Sequence, residues 1–538
     1  MNINSNIKTT VRWITFIGIL FLCVGCSTTP EGRTDVQSIG RRAVIEPDYS
    51  GIEIPPNITP LNFSIKESGQ EYFVRIHSHH GESIRIQNNS GNIHIPKESW
   101  NNLLAENLGQ QLILDIFIKN QANQWIRFDS VVNRIAQESM DGYLTYRRFG
   151  PLYNHYRKMG IFQRSLETFD EKPILLNQMT SNNCMNCHNF WQNGTDRWLL
   201  HLRGAPSTSM LLIVDGKVQR IDTKTKFNGA TAYPAWHPSG KLIAFSVSKL
   251  QLFFHQIGEC RDVLDTYSDI VLYDIPTNTI TTTPEISSPE RMENWPAWSP
   301  DGKFLYFCSA PKLETFENLH QPDDFVYNKI KYDLMRIAYD PVSRGWGKLE
   351  TVISSNDIGL SITEPRVSPD GRFVLFTAAQ YSQFPIYLPS ADLYLLDVAS
   401  GTWKKLDINS DKADSFHSWS SNSRWFVFSS KRYDNLITMP YFSHIDSMGN
   451  VSKPFVLPQE NPLFYETCLE LYNVPEFTKE PIRVSPQILA KAAFSEKDAL
   501  TAKLDPNVLL NSNENKLKSV APDDLSGKKN TTNRKASK

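Results

Sequence analysis

Four segments of the chain can be laid over one another. Tyr233-Pro234-Ala235-Trp236-His237-Pro238-Ser239-Gly240 runs into Lys241 to Ser246, and Trp295-Pro296-Ala297-Trp298-Ser299-Pro300-Asp301-Gly302 runs into Lys303 to Ser309. Glu364-Pro365-Arg366-Val367-Ser368-Pro369-Asp370-Gly371 runs into Arg372 to Thr377. Phe416-His417-Ser418-Trp419-Ser420-Ser421-Asn422-Ser423, which has lost the Pro and the Gly, runs into Arg424 to Ser429. Each unit reads as a strand ending in an aromatic residue, a tight turn, and a second strand of alternating apolar residues, which is a β-hairpin. Further strands follow at Asp269 to Asp274 and Asp392 to Asp397. The spacings are 62 residues (Trp236 to Trp298), 69 (Trp298 to Val367) and 52 (Val367 to Trp419), the size of a blade once loops are allowed. A hairpin repeated at this period cannot bury its apolar face alone, so neighbours must stack around an axis, and the fold class is mainly β with a β-propeller. Counting Trp198 to Ile221 as a degenerate first blade and Leu463 to Val484 as a closing one gives six blades, with five as the alternative.

These units resemble the WD40-like PD40 repeats of TolB-type propellers over residues 196–485. Similar Trp-Ser-Pro-Asp-Gly turns occur in propellers of prolyl-oligopeptidase-like enzymes. The chain has no Gly-x-Ser-x-Gly elbow and no room for a hydrolase domain after residue 485, which disfavours that activity, and no catalytic residue is assigned.

The sharpest chemical signal precedes the repeats, at Cys184-Met185-Asn186-Cys187-His188. This is the attachment pattern of c-type haem: two thiols add to the vinyl groups of one porphyrin, and the adjacent His is placed to ligate iron. The expected cofactor is covalent haem c, bound by Cys184, Cys187 and His188. A thioredoxin-like pair would want a βαβ setting, whereas Asn-rich loops flank the motif. A zinc knuckle would want a second Cys/His pair, and none is close downstream. A plain disulfide closes too short a loop to contribute much. Spacing does not assign a second axial ligand. Met179, Met210 and His201 are candidates by proximity and Met159 by its aromatic surroundings, while an open sixth position would permit peroxide chemistry. The motif followed by PD40 repeats resembles a group of Bacteroidetes-type envelope lipoproteins, a resemblance that supplies no function.

The N-terminus reads as an address. Lys8 and Arg12 precede the apolar run Trp13 to Val24, shorter than the roughly twenty residues of a membrane span, and the chain then reaches Gly25-Cys26. This resembles a bacterial lipobox, although Cys23 stands where Leu is usual. The resemblance implies cleavage after residue 25, acylation of Cys26, and a protein tethered to the membrane through its N-terminal lipid. Ser27-Thr28-Thr29-Pro30 lacks the Asp typical of inner-membrane retention, so the outer membrane is favoured, with the body facing the periplasm. Removing residues 1–25 takes away two cations, leaving 54 cationic against 57 anionic side chains in the rest of the 538-residue chain. So even a balance offers no electrostatic footprint for nucleic acid.

The remaining organisation follows from composition. Residues 26–47 read as a linker, and residues 48–142 as a β-sandwich, from segments such as Tyr72 to Ile76, Ser83 to Ile86 and Leu112 to Ile118. Residues 143–195 read as a partly helical connector carrying the haem site on a short helical or loop insert between sandwich and propeller. Residues 486–538 read as a largely disordered tail; its Lys528, Lys529, Arg534, Lys535 and Lys538 could meet anionic lipid, a solvated terminus being the plainer reading. His77, His79 and His80 suggest a solvated loop more than a metal site, His237 a solvated turn, and Cys308 a buried thiol, while Cys260 and Cys468 have no assigned role. Insertions at Gln251 to Asp265 and after Leu313, where Asp323 and Asp324 lie, enlarge one propeller face for a protein partner. The functional expectation is a lipid-anchored periplasmic haem protein acting in electron transfer or redox sensing. The alternatives are a non-enzymatic TolB-like scaffold and, more weakly, a haem peroxidase.

Overall fold

The computed structural model describes residues 30–32, 36–150, 158–204, 208–254, 261–312, 328–496 and 499–508. The N-terminal address with Cys26, Cys260, the Asp323–Asp324 pair and the basic C-terminal stretch lie outside the described residues. Among those described, no helix is long and apolar enough to cross a membrane.

The molecule is mainly β, and most of it is six consecutive four-stranded sheets, two of them with a fifth short strand. Blade I comprises Cys184–Phe190, Arg197–Arg203, Ser209–Val214 and Lys217–Asp222. Blade II runs from Thr231–Trp236 to Thr279–Thr281, blade III from Arg291–Trp298 to Gly345–Ile353, blade IV from Ser361–Val367 to Trp403–Lys405, and blade V from Asp414–Trp419 to Phe455–Val456. Blade VI is built from two distant parts of the chain: Leu471–Thr478 is its innermost strand, paired antiparallel to Tyr143–Phe149, with Gly160–Ser165 and Glu171–Leu176 outside it. The innermost strand of each blade packs on that of the next, and Leu471–Thr478 packs on Cys184–Phe190, so the ring closes.

The four sequence repeats are the inner two strands of blades II to V. Their first residues have a structural reason to match. Each inner strand is bulged at the same place, where two residues oppose one on the second strand. The bulge residue takes a left-handed conformation, with φ of 46° at Tyr233, 54° at Trp295, 54° at Glu364, 49° at Phe416 and 51° at Val474 in blade VI. Non-glycine residues adopt this region rarely, and bulges of this kind re-aim side chains. Here they turn Tyr233, Trp295 and Phe416 onto one another, with Tyr233 and Trp295 stacked at 3.8 Å and Trp295 and Phe416 edge-on at 6.2 Å.

Several expectations are corrected. Tyr143–Phe149, Gly160–Ser165 and Glu171–Leu176 are three strands of blade VI and not a partly helical connector. Tyr143–Phe149 pairs with residues more than three hundred positions away, which no local pattern reveals. The propeller therefore takes strands from residue 143 onward and does not begin at 196. The supposed linker contains the strands Gln37–Arg42 and Ile45–Glu46. The supposed tail from 486 begins with the helix Pro486–Phe494, capped by Ser485 Oγ, and continues into Leu500–Thr501 and Lys503–Leu504, which add parallel edge strands to blades I and II.

The N-terminal sandwich has a seven-stranded sheet and a three-stranded sheet. Between their strands in sequence lies the helix Lys97–Ala105, which the sequence reading did not anticipate; Pro96 (φ −61°) sits at its N-cap, and it buries Trp100, Leu103 and Leu104. One continuous apolar cluster joins the sandwich to the outer propeller: Phe63, Trp100 and Leu114 belong to it together with Phe373, Trp425 and Phe442. Trp425 Nε1 donates to the Glu138 carbonyl at 2.8 Å, and Ser421 donates from its backbone N at 2.8 Å and its Oγ at 2.6 Å to Asp141.

Candidate functional site

The Cys-x-x-Cys-His motif lies on the innermost strand of blade I, Cys184–Phe190. It is neither on a helical or loop insert nor between sandwich and propeller, since the sandwich docks on blades IV, V and VI and the motif strand belongs to blade I. The register explains the local geometry. Met185 faces Leu202 and His188 faces Leu200, so Asn186 and Cys187 together oppose His201. The motif thus occupies the bulge that the other five blades fill with Tyr-Pro, Trp-Pro, Glu-Pro, Phe-His and Val-Pro.

Both thiols are unbonded and half-buried. Burial pushes the Cys184 thiol up, against the pull of Arg147 and Arg203. Cys187 lies close enough to Tyr233 of blade II to act on its phenol. The His188 side chain packs the other way, toward blade VI, with its ring 6.0 Å from Phe190 and its Nε2 3.9 Å from Glu476 Oε2. Its side chain is 0% exposed. Desolvation first, and then the Arg147 charge, lower its pKa to about 3, so the imidazole is neutral. Neither ring nitrogen has a hydrogen-bond partner of ordinary geometry, although the Thr145 and Val474 backbones lie close. A buried polar group left unpaired in this way costs about 1–3 kcal/mol. The donor set fits covalent haem: two free thiols three residues apart, and beside them a neutral, unengaged imidazole of the kind iron takes.

The candidate second ligands are distributed differently. His201 is brought directly opposite Cys187; it is buried, with Nε2 3.0 Å from Thr231 Oγ1, and burial lowers its pKa to about 3. Met210 is its cross-strand partner, fully buried in the apolar core between blades I and II. Met179 sits in the turn Asn177–Thr180, packed with Cys184 against the core between blades VI and I. Met159 touches the motif itself: its Sδ accepts from the Met185 backbone N at 3.2 Å. None of the four is assigned to the iron by these contacts.

Elsewhere, His237 is not solvated. It is buried, with Nε2 3.2 Å from the Gly302 carbonyl of the next blade and its ring edge-on to Trp298. Cys308 is fully buried, as its apolar strand predicts. His77 is paired with Asp115 at 3.0 Å. No group of His, Cys, Asp and Glu able to hold a metal ion occurs among the described residues.

Sequence reading missed a second set of residues. The position after the bulge is His188 in blade I, Ala235 in II, Ala297 in III, Arg366 in IV, Ser418 in V and Glu476 in VI. The last five line a cavity of about 400 Å³ at the mouth of the central channel, on the face of the Pro-Asp-Gly turns. Glu476 is buried, and desolvation raises its pKa to about 7. Asn189 donates to its Oε1, while its Oε2 has no partner. The signal is present in the repeats, where Arg366 stands in the place of Ala235 and Ala297, whereas Val474-Pro475-Glu476 of blade VI lacks the turn and second strand that mark a repeat.

No family model matches the chain, and no curated protein matches it. Solved structures do. A putative 6-phosphogluconolactonase from Bacteroides uniformis is 12% identical over 62% of this chain and 99% of its own, with a TM-score of 0.32. Oligogalacturonate lyase from Vibrio parahaemolyticus is 12% identical over 71% of this chain and 100% of its own, with a TM-score of 0.30. The Dos1 propeller is 14% identical over 44% of this chain and 64% of its own, with a TM-score of 0.26. Likenesses at this level say nothing of chemistry.

Proposed function

We propose that this chain is a c-type haem protein of the cell envelope, tethered to the outer membrane by lipid on Cys26 and facing the periplasm. Cys184 and Cys187 would hold the haem through thioethers and His188 would bind its iron, and the protein would pass electrons to, or report redox state to, a partner docked on the propeller. The observation that carries this reading is the Cys-x-x-Cys-His motif with its imidazole buried and, among the described residues, neither ring nitrogen in a hydrogen bond of ordinary geometry. The support is the chemistry of the donors and not a preformed haem cavity, because Cys187 lies toward blade II whereas Cys184 and His188 lie toward blade VI. When bound, haem would supply one-electron chemistry. The chain's own part is to anchor it by two thiols, keep His188 neutral by burial, and hold water away from the imidazole.

The test is expression with haem-maturation machinery, followed by a visible spectrum and haem staining on a denaturing gel. A Soret band with stain that survives denaturation is expected, and a Cys184→Ala variant should lose stable attachment. A folded chain with no covalent haem would overturn the reading. The tether is tested separately: mass spectrometry of the mature N-terminus should find an acylated Cys26, and Cys26→Ala should release the protein from membranes.

A further inference from the structure

The cavity at the channel mouth is a built site that the described residues leave incomplete. It is walled by aromatic rings, among them Trp236, Trp298 and Trp419, which present flat apolar surface. Small side chains at Ala235 and Ala297 keep one side open, where a larger residue would fill it. On the other side stands Arg366. Among the described residues its guanidinium forms no ion pair and no hydrogen bond, although its field reaches both Glu364 and Glu476. An unpaired, partly buried guanidinium is a fork of donors suited to a carboxylate, which it engages by two parallel bonds.

Among the described residues, three polar atoms on residues that line the same cavity also lack hydrogen-bond partners: Trp298 Nε1, Ser418 Oγ and Glu476 Oε2, each closed off in this structure and reached when its side chain turns toward the ligand. Native interiors leave few such atoms, and several lining one cavity mark a place where a ligand supplies the missing partners. One is a pure donor, one can do either, and one is a carboxyl oxygen. Hydroxyl groups satisfy all three kinds, whereas an alkyl chain satisfies none. Tyr233, Trp295 and Phe416, which pack on one another, stand just before the lining positions Ala235, Ala297 and Ser418 on their strands. Lys479 adds a second cation to the lining.

We propose that the mouth of the central channel binds a small hydroxylated monocarboxylate of sugar-acid size, its carboxylate on Arg366 and its hydroxyls on Ser418, Glu476 and Trp298. At about 400 Å³ the cavity is at the small end of ligand sites, which suits a single sugar-acid unit and not an oligomer. The Arg366 contact that holds the carboxylate involves none of Cys184, Cys187 and His188.

Isothermal titration of the full chain with D-gluconate and with D-glucuronate tests it, with D-glucose and acetate as comparators lacking the carboxylate and the hydroxyls. Saturable binding of at least one sugar acid with Kd below about 1 mM is expected, with both comparators at least about tenfold weaker. Arg366→Gln should weaken the sugar acid by about tenfold or more and abolish its advantage over glucose. If Arg366→Gln fails to fold, Ser418→Ala, a smaller change, should weaken binding by about threefold or more with circular dichroism unchanged. Three outcomes overturn the proposal: no saturable binding of either sugar acid up to about 10 mM, glucose or acetate binding as well as the sugar acids, or affinity that neither substitution changes.

Discussion

Two glycines with the same sequence context show how far a residue's role depends on its neighbours. Gly302 and Gly371 both end a Ser-Pro-Asp-Gly turn and both have φ above 70°, at 71° and 75°. A Cβ at Gly371 would find only Pro300, at 3.8 Å, whereas one at Gly302 would meet His237 Nε2 at 2.4 Å. Gly371→Ala therefore carries only the left-handed backbone penalty, about 1 kcal/mol. Gly302→Ala should cost clearly more, about 2–3 kcal/mol, because the imidazole must leave its bond to the Gly302 carbonyl. Chemical denaturation of the two variants side by side checks the order, and equal losses would show that His237 moves aside freely. His237 itself was legible only as a turn residue. Its burial comes from the next blade, which a local pattern does not contain.

Among the elements, the Leu471–Thr478 strand closes the ring, because it joins the end of the propeller to the strands before its beginning. It pairs with Tyr143–Phe149, ring-packs Tyr472 on Tyr146 at 5.0 Å, and places Asn473 and Glu476 beside neighbouring blades. A chain ending after Glu470 should lose cooperative unfolding, since blade VI is left without its innermost strand and the ring is open. A chain ending after Glu480 keeps that strand but loses the Pro486–Phe494 helix and the two edge strands. It should still melt in one transition, at a lower temperature, because Leu489 and Ala493 no longer cover the core between blades VI and I. Calorimetry of the two truncations separates the roles, and indistinguishable melting curves would refute the assignment of closure to Leu471–Thr478. The hairpins of blades II to V could be read directly because each is local. Blade VI could not, since its two halves are brought together only by closure.

For the whole molecule, buried titratable groups set opposing trends with pH. His417 is buried and its pKa falls to about 3, so between about 6.5 and 3 the unfolded chain takes up a proton that the folded one refuses. Stability is lost as pH falls through that window. Asp265 and Glu364, raised to about 7, and Glu293, raised to about 8, are carboxyls that burial keeps protonated. The unfolded chain releases those protons near pH 4, so their contribution is present at low pH and is lost as pH rises toward 7–8. The melting temperature should therefore peak at mildly acidic pH and fall on both sides, and Glu293→Gln should flatten the alkaline limb. A melting temperature that climbs steadily from about pH 5 to 8 would contradict this. Sandwich and propeller share one apolar cluster, so both should melt in a single transition; two resolved transitions would show that the docking contacts at Trp425 and Asp141 are weak.

The amino-acid sequence alone specifies the repeating hairpin, and through it the propeller, since a strand, a tight turn and a second strand are dictated by residues within about fifteen positions of one another. It also determined the donor set at Cys184, Cys187 and His188, because that chemistry is written in adjacent residues. Only the tertiary structure decided where the motif stands: on the innermost strand of a blade, at the bulge that other blades fill with proline or histidine. It alone assembled blade VI, and it alone put Arg366, Ser418 and Glu476 around one opening. The physical reason is the same in each case. Local order follows from backbone preference and hydrophobic period, whereas a ring's closure and the lining of its channel depend on pairings between residues hundreds of positions apart.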